Sequence, residues 1–591
     1  MIVRAEFALF AAAIALSLVA LLVAPRRITQ AWRVPTALLV ATGGALAPLL
    51  LYQLLDPSRA PGRALWEWSA AGGPTIQAAY RLDGLGTVGI AAGTAYVAAG
   101  LLASARSAAS PRVLPSLVLF IGFVFIAVVV TIDLVAAIVV LAVLAAATAF
   151  ATVLVAPAPS AMRLAAYFAV GLQGFVVAAL LIARQGGASL AIGLIAPTAI
   201  SPGAILAATA GAALFAGLYP FVPWRYERAR ATAAEREPLR GLLAMPAGVA
   251  ASVILLRVLG ATSIDLSTLG LPSAHLAPRL VLLALILVVF AVRARRRGRP
   301  SISAAVVTLL AAAVLAGYDE LRWSHLVLAA ALFTVLYAAA VSLALPDQWE
   351  VARHDVTLGT LWVALAVGTP VALGAGLFVL VGAAFAALAE SVWMPPHRAY
   401  IATLTTSVWT LAGVLGVGLG TTSAADLATA IGAIVVTGIV LGLELAQAGR
   451  RLALGEAPPA LDVAAALVAL IGTVLLATIL ALPIPDALAQ LGRPLENADP
   501  LIGAALVVVA TILAISARLV RPLLPDLDVF VSRLQRIVWA ADPVPAGVAG
   551  FGVLERAVTV SSSAFAIFEQ RAGVWLATVL IVALLIWSTR Q

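Results

Sequence analysis

The sequence predicts an all-α protein that crosses a membrane many times. Three observations lead to this prediction: 63% of the 591 residues are hydrophobic, only 11% are charged, and the mean hydropathy is +1.10. A soluble domain is about 45 to 50% apolar and roughly 25% charged. Each membrane-spanning helix needs roughly 20 apolar residues, and such runs follow one another from residue 5 to residue 587. We therefore expect about 15 to 17 transmembrane helices.

The charged residues indicate a membrane partner. The net charge is +9, and every basic residue is an arginine. The arginines cluster between apolar runs, as at 293 to 299, and basic residues in such loops mark the cytoplasmic side of a membrane. We therefore predict contact with the lipid bilayer and no nucleic-acid partner.

The composition also limits the chemistry. The absence of cysteine excludes disulfides, thiol catalysis and cysteine-ligated clusters. The histidines lie far apart in the sequence, and we expect them at the membrane interface rather than on a metal: His275, His325, His354 and His397. We predict no metal, no cofactor and no catalytic residue.

Residues 1 to 110 are predicted to form the N-terminal transmembrane helices. Residues 5 to 23 are better interpreted as a first span than as a cleaved signal, because no small-residue cleavage site follows the apolar run. A second span is expected at 35 to 55, and an outer loop at 56 to 81. A third span should open just after Asp83.

The next segment, residues 111 to 260, contains an interrupted helix. An apolar run is broken at Tyr219-Pro220-Phe221, continues into a loop with Trp224 and several arginines, and resumes as a helix after Pro238. A proline inside a membrane helix frees a backbone carbonyl that lipid cannot satisfy. The break therefore belongs where protein or internal water surrounds it, which favours a transport-type core.

A second interruption falls in residues 276 to 420, at Gly368-Thr369-Pro370. Two proline-interrupted hydrophobic segments in corresponding places are typical of transporters built from inverted repeats. We therefore expect residues 111 to 260 and 276 to 420 to form two such repeats, each with a broken helix.

Two acids in apolar surroundings are candidates for an ion path. Asp133 lies at the join of two spans within 115 to 155, where it serves either as a helix cap or as a proton carrier. Glu444 lies in a span expected at 427 to 446, where it either pairs with Arg450 and Arg451 or carries ions. The sequence leaves both alternatives open.

The C-terminal part adds further helices. Residues 421 to 520 are predicted to hold additional transmembrane helices. Residues 521 to 591 change in composition, and the apolar spacing from 521 to 571 suits an amphipathic helix lying laterally along the membrane, before a terminal anchor at 574 to 587. An ordinary surface linker is the alternative for the amphipathic part.

Several of these segments resemble the antiporter-like membrane subunits shared by respiratory complex I, membrane-bound hydrogenases and Mrp-type sodium/proton antiporters. In that family a lysine-bearing helix leads into Pro-Phe-His-x-Trp-Leu, and a Pro-Val-Ser-Ala-Leu-Leu-His helix start follows. The matching residues here are Pro220, Phe221 and Trp224 for the first motif, and Pro238, Leu242 and Leu243 for the second. Asp83-Gly84-Leu85 resembles the family's Asp-Gly-Leu-Ser segment.

The proton-handling residues of the family pattern are replaced at each aligned position. Ala142 stands for a glutamate, Phe215 and Thr334 for lysines, and Val222, Ala244 and Ala330 for histidines. None of these side chains can exchange a proton. The resemblance therefore implies the family's frame with a degenerate proton path.

The resemblance implies a membrane-arm subunit of a complex I-like or hydrogenase-like ion-translocating assembly, with a structural or coupling role, in a bacterial inner membrane. Its partners would be other antiporter-like and redox subunits, and it would be a non-catalytic part of an NADH-quinone oxidoreductase-like or hydrogenase-like translocase. Two alternatives stay open. One is an active proton- or sodium-conducting subunit of the complex I, Mrp or bicarbonate-uptake type that uses substitute acids; the other is an independent carrier for a solute or lipid.

Overall fold

The protein is described here by a computed structural model. It describes residues 63–69, 75–106, 113–156, 158–185, 190–192, 195, 200–222, 239–262, 323–345, 348–392, 397–421, 427–453, 470–474, 483–492, 500–520, 527–542 and 544.

Two short strands precede a succession of helices. The strands are β1 (Arg63–Ser69) and β2 (Thr75–Tyr80). The helices up to residue 262 are α1 (Gly84–Arg106), α2 (Val113–Val130), α3 (Leu134–Val155), α4 (Ala158–Arg184), α5 (Pro202–Phe215) and α6 (Leu239–Thr262). The later helices are α7 (Trp323–Ala344), α8 (Trp349–Val367), α9 (Pro370–Val392), α10 (His397–Gly420), α11 (Leu427–Ala453), α12 (Ile484–Gln490), α13 (Pro500–Val520) and α14 (Leu527–Ala540).

The all-α membrane architecture is confirmed. Within the described residues, 8 helices are long and apolar enough to cross a membrane, namely α1, α2, α3, α4, α6, α7, α9 and α11. Shorter apolar helices lie in α5, α10 and α13. The total of about 15 to 17 spans remains a prediction, because the spans expected at 5 to 23, 35 to 55 and 574 to 587 fall outside the described part of the chain.

Helix α1 forms the centre of the bundle. Its membrane-length segment is entirely buried, and it packs against α2, α6, α9 and α12. Small side chains recur along it, including Ala91, Ala95 and Ala98, and small residues let neighbouring helices approach closely. The apolar core of both halves is therefore assembled around one alanine- and glycine-rich helix.

Two groups of helices lie at the periphery with exposed apolar side chains. On α3 and α4 these are Val139, Val143, Phe150, Val153, Met162, Val177 and Leu180. On α11 and α13 they are Ile431, Ile434, Val435, Ile439, Val508, Val509, Ile512 and Ile515. Such surfaces are typical of helices that face lipid rather than water.

The segment expected to be an outer loop, 56 to 81, contains the antiparallel hairpin of β1 and β2. Apolar and polar residues alternate over the second half of β1, from Trp66 to Ser69, with Glu67 between the two tryptophans. This period of two is a strand signal, and the paired positions include Trp68 opposite Ile76. The segment predicted as an outer loop therefore contains a β-hairpin in its described residues.

Both predicted helix interruptions are present. Helix α5 ends at Phe215, and the chain turns through Gly217, whose φ is 65°. Helix α8 ends at Val367, Gly368 adopts the left-handed conformation with φ 72°, and α9 begins at Pro370. Glycine reaches this conformation without steric cost, which makes it the usual residue just after a helix end. The inverted-repeat relation and the domain boundaries remain predictions.

The crossing of α4 and α5 depends on glycine. A Cβ at Gly174 would stand 2.6 Å from the carbonyl oxygen of Ala207 and 2.9 Å from Cα of Gly211. We expect Gly174→Ala to lower the stability of the detergent-purified chain by about 1 to 3 kcal/mol, because two helix backbones must separate. Thermal unfolding measures this. Gly432→Ala on α11 is the matched control, since nothing lies within 4 Å of its Cβ position. Equal melting temperatures for the two variants would contradict the close crossing.

Candidate functional site

The first broken helix is satisfied by a side chain from α7. The backbone N–H of Tyr219 donates to Oγ1 of Thr334 over 2.7 Å, and that hydroxyl donates to the carbonyl of Ala330 over 2.7 Å. The Tyr219 ring also packs against Phe333 and Tyr337, with centroid distances of 6.0 and 5.9 Å. Thr334 stands where the family resemblance places a lysine, so this position now holds the helix break together.

Phe215 occupies the other position at which the family pattern has a lysine, and it is packed among aromatic rings. Phe215 is 3% exposed, and its ring stacks on Phe168 at a centroid distance of 4.6 Å. Phe175 lies beside it at 6.3 Å. This tight apolar cluster leaves no place for a charge. Among the predicted broken-helix residues, Pro220 and Phe221 are half-buried, and Phe221 contacts the Tyr167 ring at 5.9 Å.

The predicted residues Trp224 and Pro238 lie outside the described residues.

The second broken helix, at Pro370, is closed by Thr369. Its hydroxyl donates to the carbonyl of Gly420 over 2.9 Å and accepts from the N–H of Ala372 over 3.3 Å. Side chains thus satisfy backbone groups at both breaks.

Asp133 occupies a helix cap. The side chain is wholly buried, and its Oδ1 accepts from the backbone N–H groups of Val135 and Ala136 at 2.9 and 3.0 Å. Oδ2 accepts from the N–H of Gln77 in β2 at 3.0 Å. Both oxygens therefore fix local structure, joining the start of α3 to the hairpin.

Glu444 lies in a different part of the bundle. Helix α11 continues to Ala453, so Glu444 is farther from the helix end than expected, and it is 3% exposed. The side chains of Arg450 and Arg451 are not among the described ones. Helix α3 packs on α2, α4 and α6, whereas α11 packs on α7, α10 and α13, so the structure does not bring the two candidate acids together.

A buried ion pair that the sequence reasoning did not single out lies between α8 and α9. Arg353 donates to Glu390 through Nη1, and Thr406 of α10 donates to the other carboxylate oxygen. Nη1 of Arg353 also contacts Thr406 Oγ1 at 3.1 Å, and its guanidinium lies 5.0 Å from the centroid of the Trp349 ring. Glu390 has no exposed surface, so the charge depends entirely on these partners.

His354 is buried rather than interfacial, which corrects the expectation. It is 3% exposed, its ring meets Tyr96 of α1 edge-on at 5.7 Å, and Gly241 of α6 leaves room for it. The cause is the early start of α8 at Trp349, whereas the sequence pattern indicated a span from residue 358. The sequence signal that could have revealed the Arg353–Glu390 pair is Glu390 itself. An acid within a membrane span that has no basic residue beside it in the sequence needs a buried partner from another helix.

We call the polar layer the buried polar side chains joined by the ion pair, the hydrogen bonds and the ring contact just described: Tyr96, Arg353, His354, Glu390 and Thr406. They come from α1, α8, α9 and α10. Among the described residues, no three histidine or acidic side chains are grouped as a metal site would require.

A second buried ion pair closes the opposite ends of α1 and α6. Arg257 donates to Asp83 Oδ1 over 2.7 Å, and that oxygen also accepts from the N–H of Gly86 over 2.6 Å. Arg257 further donates to the carbonyls of Val129 and Thr131 at the end of α2. One guanidinium therefore ties three helices together.

The long apolar helices define a polytopic α-helical membrane protein, whose two helix breaks and two buried ion pairs are satisfied within the chain. Comparison with solved structures identifies the frame more closely. Over 98% of its length, the chain matches a chain of the Mrp complex from Dietzia sp. DQ12-45-1b, with a TM-score of 0.58 and 17% identity. The fold of the antiporter-like subunits, expected from the sequence motifs, is thereby confirmed.

The matching region spans 62% of that Mrp chain. Weaker similarity extends to a chain of the membrane-bound sulfane sulfur reductase, an archaeal respiratory membrane complex, with a TM-score of 0.48 and 13% identity over 82% of this chain and 100% of that one. A chain of respiratory complex I from Thermus thermophilus matches with a TM-score of 0.41 and 15% identity, over 90% of this chain and 98% of that one. No protein-family description and no curated protein matches the sequence.

The Thr334 contact makes a testable prediction. Thr334→Val keeps the side-chain shape but removes the acceptor for the buried Tyr219 N–H, which should cost about 1 to 3 kcal/mol of stability. Thr360→Val is the control, because the hydroxyl of buried Thr360 donates only within its own helix, to Val356. Thermal unfolding should separate the two variants. If Thr360→Val is as harmful as Thr334→Val, the interhelical bond contributes nothing specific.

The Arg353–Glu390 ion pair makes a second testable prediction. Arg353→Met leaves an uncompensated buried carboxylate and should destabilise the chain by about 3 to 5 kcal/mol. The double variant Arg353→Met, Glu390→Gln removes both charges, and we expect it to regain most of that loss. A thermal-unfolding double-mutant cycle measures the coupling. Additive losses from the two substitutions would refute a buried pair.

Proposed function

We propose that this chain is a membrane-arm subunit of a complex I-like or hydrogenase-like ion-translocating assembly, with a structural or coupling role and a degenerate proton path. The proposal rests on the side chains found at the two positions where the family pattern has a lysine. Phe215 is locked in an aromatic stack, and Thr334 caps the broken helix. Neither position retains a group that could pass a proton between the half-channels.

The candidate acid Asp133 supports the same proposal. Its two oxygens are committed to the start of α3 and to the hairpin. A proton carrier must alternate between partners, whereas these bonds tie the carboxylate to fixed backbone groups. The proposed role is therefore to seal and connect the membrane arm in a bacterial inner membrane, alongside redox and other antiporter-like subunits that perform the pumping.

A second candidate function is ion conduction by substitute groups, and the polar layer together with Glu444 favours it. Glu390, His354 and Glu444 place titratable side chains inside the bundle at positions other than those of the family pattern. In this alternative the chain is an active proton- or sodium-conducting subunit of the complex I, Mrp or bicarbonate-uptake type.

Flux measurements separate the two functions. Proteoliposomes with the purified chain should show no proton or sodium flux above that of empty vesicles, and Asp133→Asn and Glu444→Gln should change nothing. Flux that Glu390→Gln or Glu444→Gln abolishes, and that Asp486→Asn preserves, would establish conduction instead. Asp486 is the matched control because it is an exposed acid on α12.

Isolation from native membranes tests the assembly. We expect an affinity-tagged chain to co-purify in mild detergent with redox or antiporter-like subunits identified by mass spectrometry. A monodisperse solitary chain whose proteoliposomes show substrate-dependent solute or lipid flux would overturn the subunit proposal and favour an independent carrier.

A further inference from the structure

Helix α4 carries a polar side chain at the middle of its span. Arg163 and Arg184 stand near the two ends of the helix, about 31 Å apart at 1.5 Å per residue. That separation is close to the roughly 30 Å thickness of the hydrocarbon core of a bilayer. Gln173 lies almost midway between the two arginines, about 15 Å from either. Its amide is therefore placed near the centre of the membrane.

The face of α4 that carries Gln173 is exposed and otherwise apolar. The glutamine itself is exposed. Its neighbours on the same helical stripe are Met162, Ala169, Val177 and Leu180. Gly174, which meets α5, lies on another side of the helix. Among the described side chains of the eight membrane-length helices, the other exposed polar one is that of Arg184, at a helix end.

Lipid alone would leave the Gln173 amide unsatisfied. No hydrogen bond joins its side chain to another described residue, and the side chain is too short to reach water from the middle of the span. Hydrocarbon offers no hydrogen bond, so a polar group left in it is expensive. The exposed faces of α11 and α13 differ in this respect, since their described exposed side chains are all apolar or glycine. The α4 face thus has a feature that lipid does not explain.

We propose that the exposed face of α4 is the docking surface for a transmembrane helix of another subunit, and that Gln173 hydrogen-bonds to a polar side chain of that helix. The inference rests on the proposed role as a subunit of a membrane assembly, and it names the surface and the chemistry of one contact. An amide both donates and accepts, so a serine, threonine, asparagine or glutamine at the same depth satisfies it. The small side chain of Ala169, one turn away, lets the partner helix approach closely.

The charges at the ends of α4 disfavour a second copy of this chain as the occupant. A two-fold dimer within one membrane places the same surface of each copy against the other, so α4 would run beside its own copy in the same direction. Arg163 and Arg184 would then each come near an identical arginine. Like charges repel, whereas a different helix with neutral or acidic ends avoids this cost.

Photocrosslinking in native membranes tests the surface. The affinity-tagged full-length chain carries p-benzoylphenylalanine at position 177, one turn from Gln173 on the exposed stripe. We expect an adduct whose crosslinked peptide, identified by mass spectrometry, belongs to a transmembrane segment of a co-purifying subunit. Position 512, on the exposed face of α13, is the control and should not capture that segment. An adduct with a second copy of this chain, the absence of any protein adduct at 177, or equal capture from 512 overturns the proposal.

Variants of the glutamine test the hydrogen bond. Gln173→Leu should lower recovery of the captured subunit by about threefold or more, the size of an average interhelical hydrogen bond in a membrane. The melting temperature of the isolated chain should stay the same, because the amide contacts no other described residue. Gln173→Asn keeps an amide and should retain more of the subunit. Gln490→Leu, at an exposed glutamine on α12, is the matched control. Equal recovery with Gln173→Leu and the wild type contradicts the bond.

The partner's own polar residue completes the test. In the segment found by crosslinking, the polar side chain nearest the membrane centre is replaced by leucine. Its effect on recovery should match that of Gln173→Leu, and the two substitutions together should cost little more than either alone, because they remove the same bond. Additive losses, or a captured segment without a polar residue at that depth, overturn the inference.

The outcomes also distinguish this inference from the proposed function. If the chain co-purifies with redox or antiporter-like subunits while the α4 variants behave as wild type, the subunit role stands and the docking surface is wrong. A chain that co-purifies with no membrane subunit overturns both.

Discussion

Satisfaction of polar groups within the chain is the constraint on which this structure depends. Lipid cannot hydrogen-bond to an interrupted helix, so each break has to find a donor or acceptor in a neighbouring helix. Thr334 meets the Tyr219 N–H, and Thr369 bridges to Gly420. The same constraint explains the two buried ion pairs, because an unpaired buried charge costs far more than a paired one.

The same constraint acts on the helix breaks independently of the ionisable side chains in the bundle. The two broken helices are held by side chains that satisfy backbone groups at the breaks, whichever other side chains line the centre. At two positions that the resemblance aligns with lysines, Phe215 packs in an aromatic stack and Thr334 accepts the Tyr219 N–H at the first break. Two buried ion pairs, Arg353 with Glu390 and Arg257 with Asp83, join helices near opposite ends of the bundle.

Much of the frame could be predicted, whereas the candidate site could be predicted only in part. The spans around Asp133 and the interruption at Pro370 follow from local hydropathy and from the covalent geometry of proline. A helix cap was one of the two hypotheses for Asp133, the other being a proton carrier. The tertiary structure shows the cap geometry, in which the buried carboxylate accepts from three backbone N–H groups. The polar layer was missed because Arg353 and Glu390 are 37 residues apart, and nothing in either local pattern names the other.

The sequence by itself determined that this protein is a multi-pass helical membrane protein and where two of its apolar segments break, although not where every helix begins and ends. Those properties depend on neighbouring residues, through apolar run length, proline and glycine. Only the tertiary structure decided which polar groups meet, since Tyr219 and Thr334 are 115 residues apart and Asp83 and Arg257 are 174 apart. Such pairings result from helix packing in three dimensions, which local sequence patterns do not encode.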